Sequence, residues 1–292
     1  FIIMHYLEIP EKNLTLYLPE NLGECDAKQY AEMAKLMYWL FVGQITYQDF
    51  KTLAVYALLN MKHHKKNAND EKINEEIFKI SELVADFFTE RKTEDGNIQL
   101  LPKQFYINNH LPVLRFFGKF YGPEEAFENV CFGQYEDGLE EYINFSQTGE
   151  LQYLINLFAI FYLRKGEVYD AAKSKKRAKG FFKHIDIRHL YGFYLTFSAI
   201  QLWITSGEIY LGGNLINLSI IYQDAGNSVK SNIPGIGMKG VVFDIAESQV
   251  FGNYQETRRE MLWNIIPRLH QLRKKTLDEQ QNSKSNDTST AQ

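Results

Sequence analysis

The chain has 292 residues, a length that suits one large domain or two smaller ones. Hydrophobic residues make up 45% of it and aromatic residues 14%, so the chain can bury a large core rich in Phe and Tyr. Its formal net charge of −4 excludes a general electrostatic attraction to nucleic acid or to anionic membranes.

The cysteines, the N-terminus and the apolar segments indicate which cellular compartment to expect. Cys25 and Cys131 are far apart and show no metal-binding or redox spacing, so we expect a reducing compartment and no disulfide framework. The N-terminus has no signal-peptide pattern, which argues against secretion by that route. The longest apolar stretch, residues 190–204, is shorter than the roughly 18 residues of a spanning helix, so we expect a buried helix and no membrane partner.

The N-terminal residues 1–24 form an extended β segment in this interpretation. Residues 5–9 and 14–18 are short runs rich in β-forming residues, and a proline follows each run. Two such runs predict a small hairpin.

Helical periodicity begins at about residue 25. Asp26 is placed as an N-cap for a helix with apolar residues at three- and four-residue spacing, and Thr46 is placed as the N-cap of the next. Gly43 lies between them, which predicts a helical hairpin. A third helix is expected from Ile73 to Phe88, ending before the turn pair Asp95-Gly96. Residues 97–123 show no decisive pattern.

The second half of the chain predicts further helices. Two are expected between residues 132 and 164, divided at Thr148-Gly149, and a long apolar helix between residues 185 and 211. A short helix is expected near Leu215, a Gly- and Ser-rich loop over 227–240, and helices over 241–247 and 256–275.

The fold class predicted from these patterns is mainly α, a multi-helix bundle with a small N-terminal β element and a disordered C-terminal tail. Residues 25–277 would form the helical domain, and any subdivision of it would lie near 165–185. Residues 278–292 contain almost no apolar side chain, so burial cannot offset the entropy of ordering them.

Two local patterns suggest a cofactor or a metal and are better explained without one. The glycines 235, 237 and 240 have the spacing of a dinucleotide-binding loop, but a polar segment ending in Pro234 precedes them where a strand is required. His184, Asp186 and His189 are close in sequence, yet no further ligand stands nearby to complete a metal site. We therefore predict no cofactor and no metal.

No catalytic residue can be assigned from the sequence. Cys131 lies between Val130 and Phe132, a setting that indicates burial, whereas Cys25 precedes a helix start, where the pKa of a thiol can fall. Motifs of serine hydrolases, P-loop proteins and zinc proteases are missing from the sequence. The sequence favours a non-enzymatic role, and an enzyme built from residues distant in sequence is an alternative.

A basic run over residues 173–188 is the strongest charge feature. Its candidate contact residues for nucleic acid or a partner protein are Lys173, Lys175, Lys176, Arg177, Lys179 and Lys183. Phe181 and Phe182 would be available to stack on bases. The acidic stretch 124–141 contains no Lys or Arg, so the two patches can also dock on each other or on further copies of the chain.

Three aromatic and glycine-containing phrases carry a resemblance to a known group of proteins. They are Tyr121-Gly122-Pro123, residues 132–136 and residues 244–252. Together they resemble an uncharacterised family encoded by prophages in tail-assembly gene regions. The resemblance implies a virion component or assembly factor, located in the host cytoplasm or in the virion, that acts through other proteins or copies of itself. Nucleic acid is the less favoured partner.

Overall fold

The structure, a computed structural model, describes residues 4–9, 14–61, 71–93, 95–222 and 238–289. Helices, 3₁₀ turns included, make up 62% of the described residues, which contain ten α-helices and four small antiparallel strand pairs. The predicted fold class, a mainly helical protein with a small N-terminal β element, is confirmed.

The N-terminal hairpin forms as predicted. Strands β1 (Met4–Ile9) and β2 (Leu14–Pro19) pair antiparallel, with Met4 opposite Pro19. Leu18 and Leu22 are fully buried in the hydrophobic core, so the hairpin joins the helical body through the end of β2 and the segment that follows it.

The predicted helical hairpin is present, and side-chain caps begin both of its helices. These are α1 (Ala27–Phe41) and α2 (Tyr47–Leu58). The Asp26 carboxylate accepts hydrogen bonds from the amides of Lys28 and Gln29, and Thr46 accepts one from the amide of Asp49. Both caps satisfy amides that have no partner within the helix, which is why these boundaries are readable from sequence.

The next region contains strands where the sequence predicts helix or shows no pattern. Helix α3 is shorter than predicted, because a 3₁₀ turn and a strand replace its last turn. The elements are α3 (Glu71–Leu83), β3 (Phe88–Lys92), β4 (Ile98–Pro102), β5 (Val113–Arg115) and β6 (Lys119–Tyr121). Phe88 is therefore in a strand, and Gly96, with a φ of 79°, belongs to the connection of β3 to β4.

The central helices form where the sequence predicts them, except at the C-terminal end of the long apolar helix. Helix α4 (Phe132–Thr148) and α5 (Leu151–Phe161) are divided at Gly149, whose φ of 69° gives the left-handed cap. A nine-residue helix, α6 (Ala171–Lys179), contains most of the basic run, and α7 (Ile187–Ser206) follows it.

The predicted ends of the long apolar helix and of the short helix near Leu215 are wrong. Strands β7 (Glu208–Leu211) and β8 (Asn214–Asn217) form a hairpin there. The two residues between the strands are Gly212 and Gly213, both with positive φ. A two-residue turn with positive φ at both positions matches the twist of paired strands, and this favours the hairpin over helix.

The C-terminal part consists of α8 (Met238–Glu247), α9 (Tyr254–Arg259) and α10 (Leu262–Ser289). The single helix predicted over 256–275 is broken because Glu260 and Leu262 make backbone hydrogen bonds to Phe132 and Val130. Residues 278–289 of the predicted disordered tail continue α10, and 290–292 lie outside the described residues. After Ile266 none of the described side chains is fully buried, although the half-buried Leu269 still packs against the core.

The core is aromatic and centres on α5 and α7. Phe161 lies 5.0 Å from Phe193 and 5.5 Å from Phe197, measured between ring centroids, and Phe127 stacks on Phe161 from outside the two helices. Edge-to-face and offset contacts of this kind stabilise aromatic pairs beyond the area that they bury. The high aromatic content of the sequence is used in this core.

Candidate functional site

A broad groove of about 950 Å³ lies between the β3–β4 hairpin and the helices α1, α4 and α7. Eight consecutive residues, 98–105, form one wall, whereas β3 contributes only Phe88 and Thr89. The opposite wall is supplied by the helices, with Met37, Leu40, Phe41, Tyr142, Ser146, Tyr191, Tyr194, Leu195, Ser198, Gln201, Leu202 and Thr205.

Strand β4, which has a free edge, lines this groove along its whole length. Alternate side chains of a strand point to opposite faces of a sheet, so a wall made of one face would contain every second residue. Here every residue from Ile98 to Phe105 lines the groove, and none of them is fully buried. Within the described chain β4 pairs with β3 alone, which leaves the backbone groups on its other edge without a strand partner.

Four large apolar side chains of the groove are exposed. Phe105 is 79% exposed, Ile98 59%, Phe41 51% and Leu202 44%. They come from β4 and its extension and from two helices, so they surround the groove on several sides. An exposed apolar surface with polar groups at its border is typical of a binding site.

A chain of hydrogen bonds fixes the helical wall to the segment after β4. The Tyr142 and Ser198 hydroxyls are 3.0 Å apart, and Ser198 donates to Gln104 Oε1 at 2.8 Å. Gln104 Nε2 donates to the carbonyl of Leu195 at 3.4 Å. Burial raises the pKa of the neighbouring Tyr194 phenol, with the Tyr142 and Tyr191 phenols adding to it, so that wall carries no charge at neutral pH. The groove is therefore rigidly supported and nearly neutral.

One of the six candidate residues of the basic run is not on the surface. Lys173, Lys175, Lys176, Lys179 and Lys183 are exposed, whereas Arg177 is only 8% exposed. Both guanidinium Nη atoms of Arg177 donate to Glu167, each at 2.9 Å, and the group lies over the rings of Phe120 and Phe182. Phe182 is fully buried and cannot stack on a base, and Phe181 packs beside Phe116, Phe117 and Phe120.

The acidic stretch has partners that the sequence did not indicate. Arg258 of α9 donates to the carboxylates of Glu136 and, at 2.7 Å, Asp137, and Lys239 of α8 pairs with Glu140 at 3.1 Å. Burial raises the pKa of the Glu136 carboxyl although Arg258 opposes the shift. From the basic run, Lys175 alone lines a cavity together with these acidic residues. The partners are 99 to 122 residues apart in the sequence, which explains why no local signal reveals these pairs.

The residues considered for metal or nucleophilic chemistry occupy separate places. His184 is exposed, Asp186 caps α7, and His189 is half-buried; among the described residues no three His, Cys, Asp or Glu side chains are placed to hold a metal ion. Burial raises the pKa of the Cys25 thiol, and Asp26 and Glu24 raise it further. The expectation of a lowered pKa at Cys25 is wrong, because desolvation outweighs the nearby helix start. The first glycines of the dinucleotide-type pattern, 235 and 237, lie outside the described residues.

No protein-family model, curated protein or solved structure matches this chain. None of the helices in the described ranges combines the length and the apolar character needed to cross a membrane. The groove, its exposed apolar side chains and the free edge of β4 are the observations from which a function can be inferred.

Proposed function

We propose that this protein is a non-enzymatic binding protein that takes up an extended segment of a partner protein in the groove. The segment pairs with the outer edge of β4 and places apolar side chains against the groove walls. The observation that carries this proposal is the unbroken wall of residues 98–105, in which a strand edge lies open to an apolar surface. Addition of a strand to such an edge is a recurring mode of peptide recognition.

The groove defines the chemistry of the segment. Strand β4 covers five residues, Ile98–Pro102, and at about 3.3 Å per residue it offers an edge of roughly 17 Å. Lys103 is the one charged residue among those lining the groove, so a neutral or weakly acidic segment fits best. Backbone pairing provides affinity, and the apolar walls select large apolar side chains at alternate positions.

The resemblance to prophage-encoded proteins from tail-assembly regions directs the choice of partner. It favours a virion or assembly protein as the source of the segment, and it makes a second copy of this chain the alternative source. Either source would act through protein–protein contacts, which agrees with a groove that binds an extended segment. An apolar small molecule is a different occupant, since about 950 Å³ is also within the size range of small-ligand sites.

Peptide selection tests the proposal without knowledge of the partner. A displayed random library of peptides of about nine residues, panned on the full chain, is expected to enrich sequences with alternating apolar residues. In a selected peptide, N-methylation of every second amide should abolish binding, and methylation of the other amides should be tolerated. The reason is that alternate N–H groups of the bound peptide point to opposite edges, and only those on one edge can donate to β4. Equal effects at all positions, or no enrichment, would contradict strand addition.

Two equally exposed phenylalanines provide a matched pair of variants. Phe105 in the groove is 79% exposed and Phe117, outside it, is 76% exposed. Phe105→Arg should lower the affinity for a selected peptide by about tenfold or more. Phe117→Arg should leave this affinity within about twofold of that of the original protein. If an apolar dye is displaced from the groove while no peptide binds, the site takes a small molecule instead.

A second candidate function is binding of single-stranded nucleic acid. Phe117, near the tip of the β5–β6 hairpin, lies 6.3 Å from Phe181 of the basic run, and Phe181 is two positions from each of the exposed Lys179 and Lys183 in the sequence. Aromatic rings beside cations suit stacked bases and phosphates. Filter binding of an oligothymidine across a salt series should give a steep salt dependence and a loss of affinity in Phe117→Ala. No binding at low salt would exclude this role.

A further inference from the structure

A second, smaller cavity lies between α4, α5 and α6, and it shares no residue with the groove. Its volume is about 230 Å³. Three carboxylates of α4, Asp137, Glu140 and Glu141, line it from one side, because positions three and four apart lie on the same face of a helix. Asn156 of α5 and Ser174 of α6 face them.

The three carboxylates differ in how their charge is balanced. Asp137 pairs with Arg258 at 2.7 Å and accepts a hydrogen bond from Tyr169, and Glu140 pairs with Lys239 at 3.1 Å. Glu141 accepts a hydrogen bond from Asn156 Nδ2 at 3.0 Å, and no cation of the described residues lies within ion-pair distance of it. Glu141 is therefore the carboxylate of this cavity without an ion pair, and only the more distant charge of Lys175 opposes its own.

Ser174 gives an independent indication of a missing ligand. The residue is 2% exposed, its Oγ has no hydrogen-bond partner, and it lines the same cavity. A buried hydroxyl without a partner costs free energy, so native proteins satisfy almost all such groups. Burial also raises the pKa of the Glu141 carboxyl, and the charges of Glu140 and Asp137 add to the shift.

We propose that this cavity binds a small organic cation through a primary ammonium or guanidinium group. Glu141 supplies the counter-charge, and Ser174 Oγ accepts one of the ligand's N–H bonds. The volume admits about seven groups of the size of a water molecule, so the ligand is a short amine or guanidine rather than a large cofactor. Three carboxylates on one wall disfavour an anion, and a metal ion lacks a convergent set of ligands among the described residues.

Lys175 makes the sign of the ligand's charge testable. It lines the cavity, it is exposed, and its charge acts on Glu141 without an ion pair. It therefore competes with a cationic ligand and would assist an anionic one. Lys175→Ala should tighten the binding of a cation and weaken the binding of an anion.

The experiment is calorimetric titration of the full chain at low ionic strength with propylammonium, guanidinium and propionate. We expect saturable binding of propylammonium or guanidinium, a loss of about tenfold or more in Glu141→Gln, a smaller loss in Ser174→Ala and a gain in Lys175→Ala. Glu141→Gln keeps an oxygen for Asn156, so circular dichroism should show an unchanged fold. Glu128→Gln, an exposed acid outside the cavity, should bind as the original protein does.

Three results would overturn the proposal. The first is no saturable heat from either cation. The second is binding of propionate that weakens in Lys175→Ala, which would indicate an anion site. The third is an equal loss in Glu128→Gln and Glu141→Gln, which would show that the cations bind to the acidic surface in general. The groove is not involved in any of these measurements, so they leave the proposed function untouched.

Discussion

Replacing Arg177 by alanine should destabilise the protein far more than replacing its neighbour Lys176. The guanidinium of Arg177 makes two hydrogen bonds to Glu167, each of 2.9 Å, and the two side chains are 8% and 15% exposed. Burial raises the pKa of the Glu167 carboxyl, but Arg177 and the amide of Arg164 outweigh it, so the pKa lies below its ordinary value. Glu167 is thus charged at neutral pH and needs its partner.

The magnitude follows from the geometry. Removal of one partner from a buried ion pair costs about 3–5 kcal/mol, because the other charge remains enclosed. The contacts of Arg177 with the rings of Phe120 and Phe182 place the expected loss within that range. For a chain of 292 residues, a loss of about 4 kcal/mol lowers Tm by about 6 °C. Lys176 is exposed, so Lys176→Ala should change the stability by less than about 0.5 kcal/mol.

Urea unfolding followed by tryptophan fluorescence measures both effects. A double-mutant cycle with Glu167→Ala isolates the pair, and the double variant should lose less stability than the sum of the single variants. Equal losses in Arg177→Ala and Lys176→Ala would refute the reasoning. They would mean that Arg177 behaves as one more surface cation of the basic run.

Two further predictions concern the core. Gly138→Ala places a Cβ 2.8 Å from Phe161 Cζ, so overpacking should lower the stability by about 1–2 kcal/mol in thermal unfolding, despite the better helix propensity of alanine; a stabilised variant would contradict this. Burial raises the pKa of several tyrosines above the unfolded value of about 10. For four of them the contribution to stability should be constant below about pH 10 and fall above it by about 1.4 kcal/mol per pH unit for each group. They are Tyr30, Tyr106, Tyr135 and Tyr162. Urea midpoints that stay constant to about pH 11.5 would contradict the burial of these phenols.

The sequence predicts those elements whose ends depend on local chemistry. Asp26 and Thr46 cap α1 and α2, and Gly149 ends α4, because each acts on backbone groups within a few residues. The strands of residues 88–121 and 208–217 are missed since they are short and gain their stability from pairing. The break before α10 is set by pairing with residues 130–132, more than a hundred positions away.

The candidate sites were less visible in the sequence. The groove joins residues from Met37 to Thr205, and its wall includes residues 98–105, which lie in the stretch without a decisive pattern. A usable signal was present there, since Leu100-Leu101-Pro102 and Phe105 form an apolar run too short for a helix. The burial of Arg177 depends on Glu167, ten positions away across the start of α6, so charge counting alone assigns it to the surface.

Backbone amide exchange of β4, measured by NMR with a selected peptide, tests the groove most directly. In the free protein, the amides of Ile98 and Leu100, which point away from β3, should exchange rapidly; Pro102, the third outward position, has no amide hydrogen. The bound peptide should protect the amides of Ile98 and Leu100 and leave those of Gln99 and Leu101 unchanged, as pairing on one edge requires, and Phe105→Arg should abolish that protection. A peptide that binds while the β4 amides exchange as in the free protein would contradict strand addition at this edge.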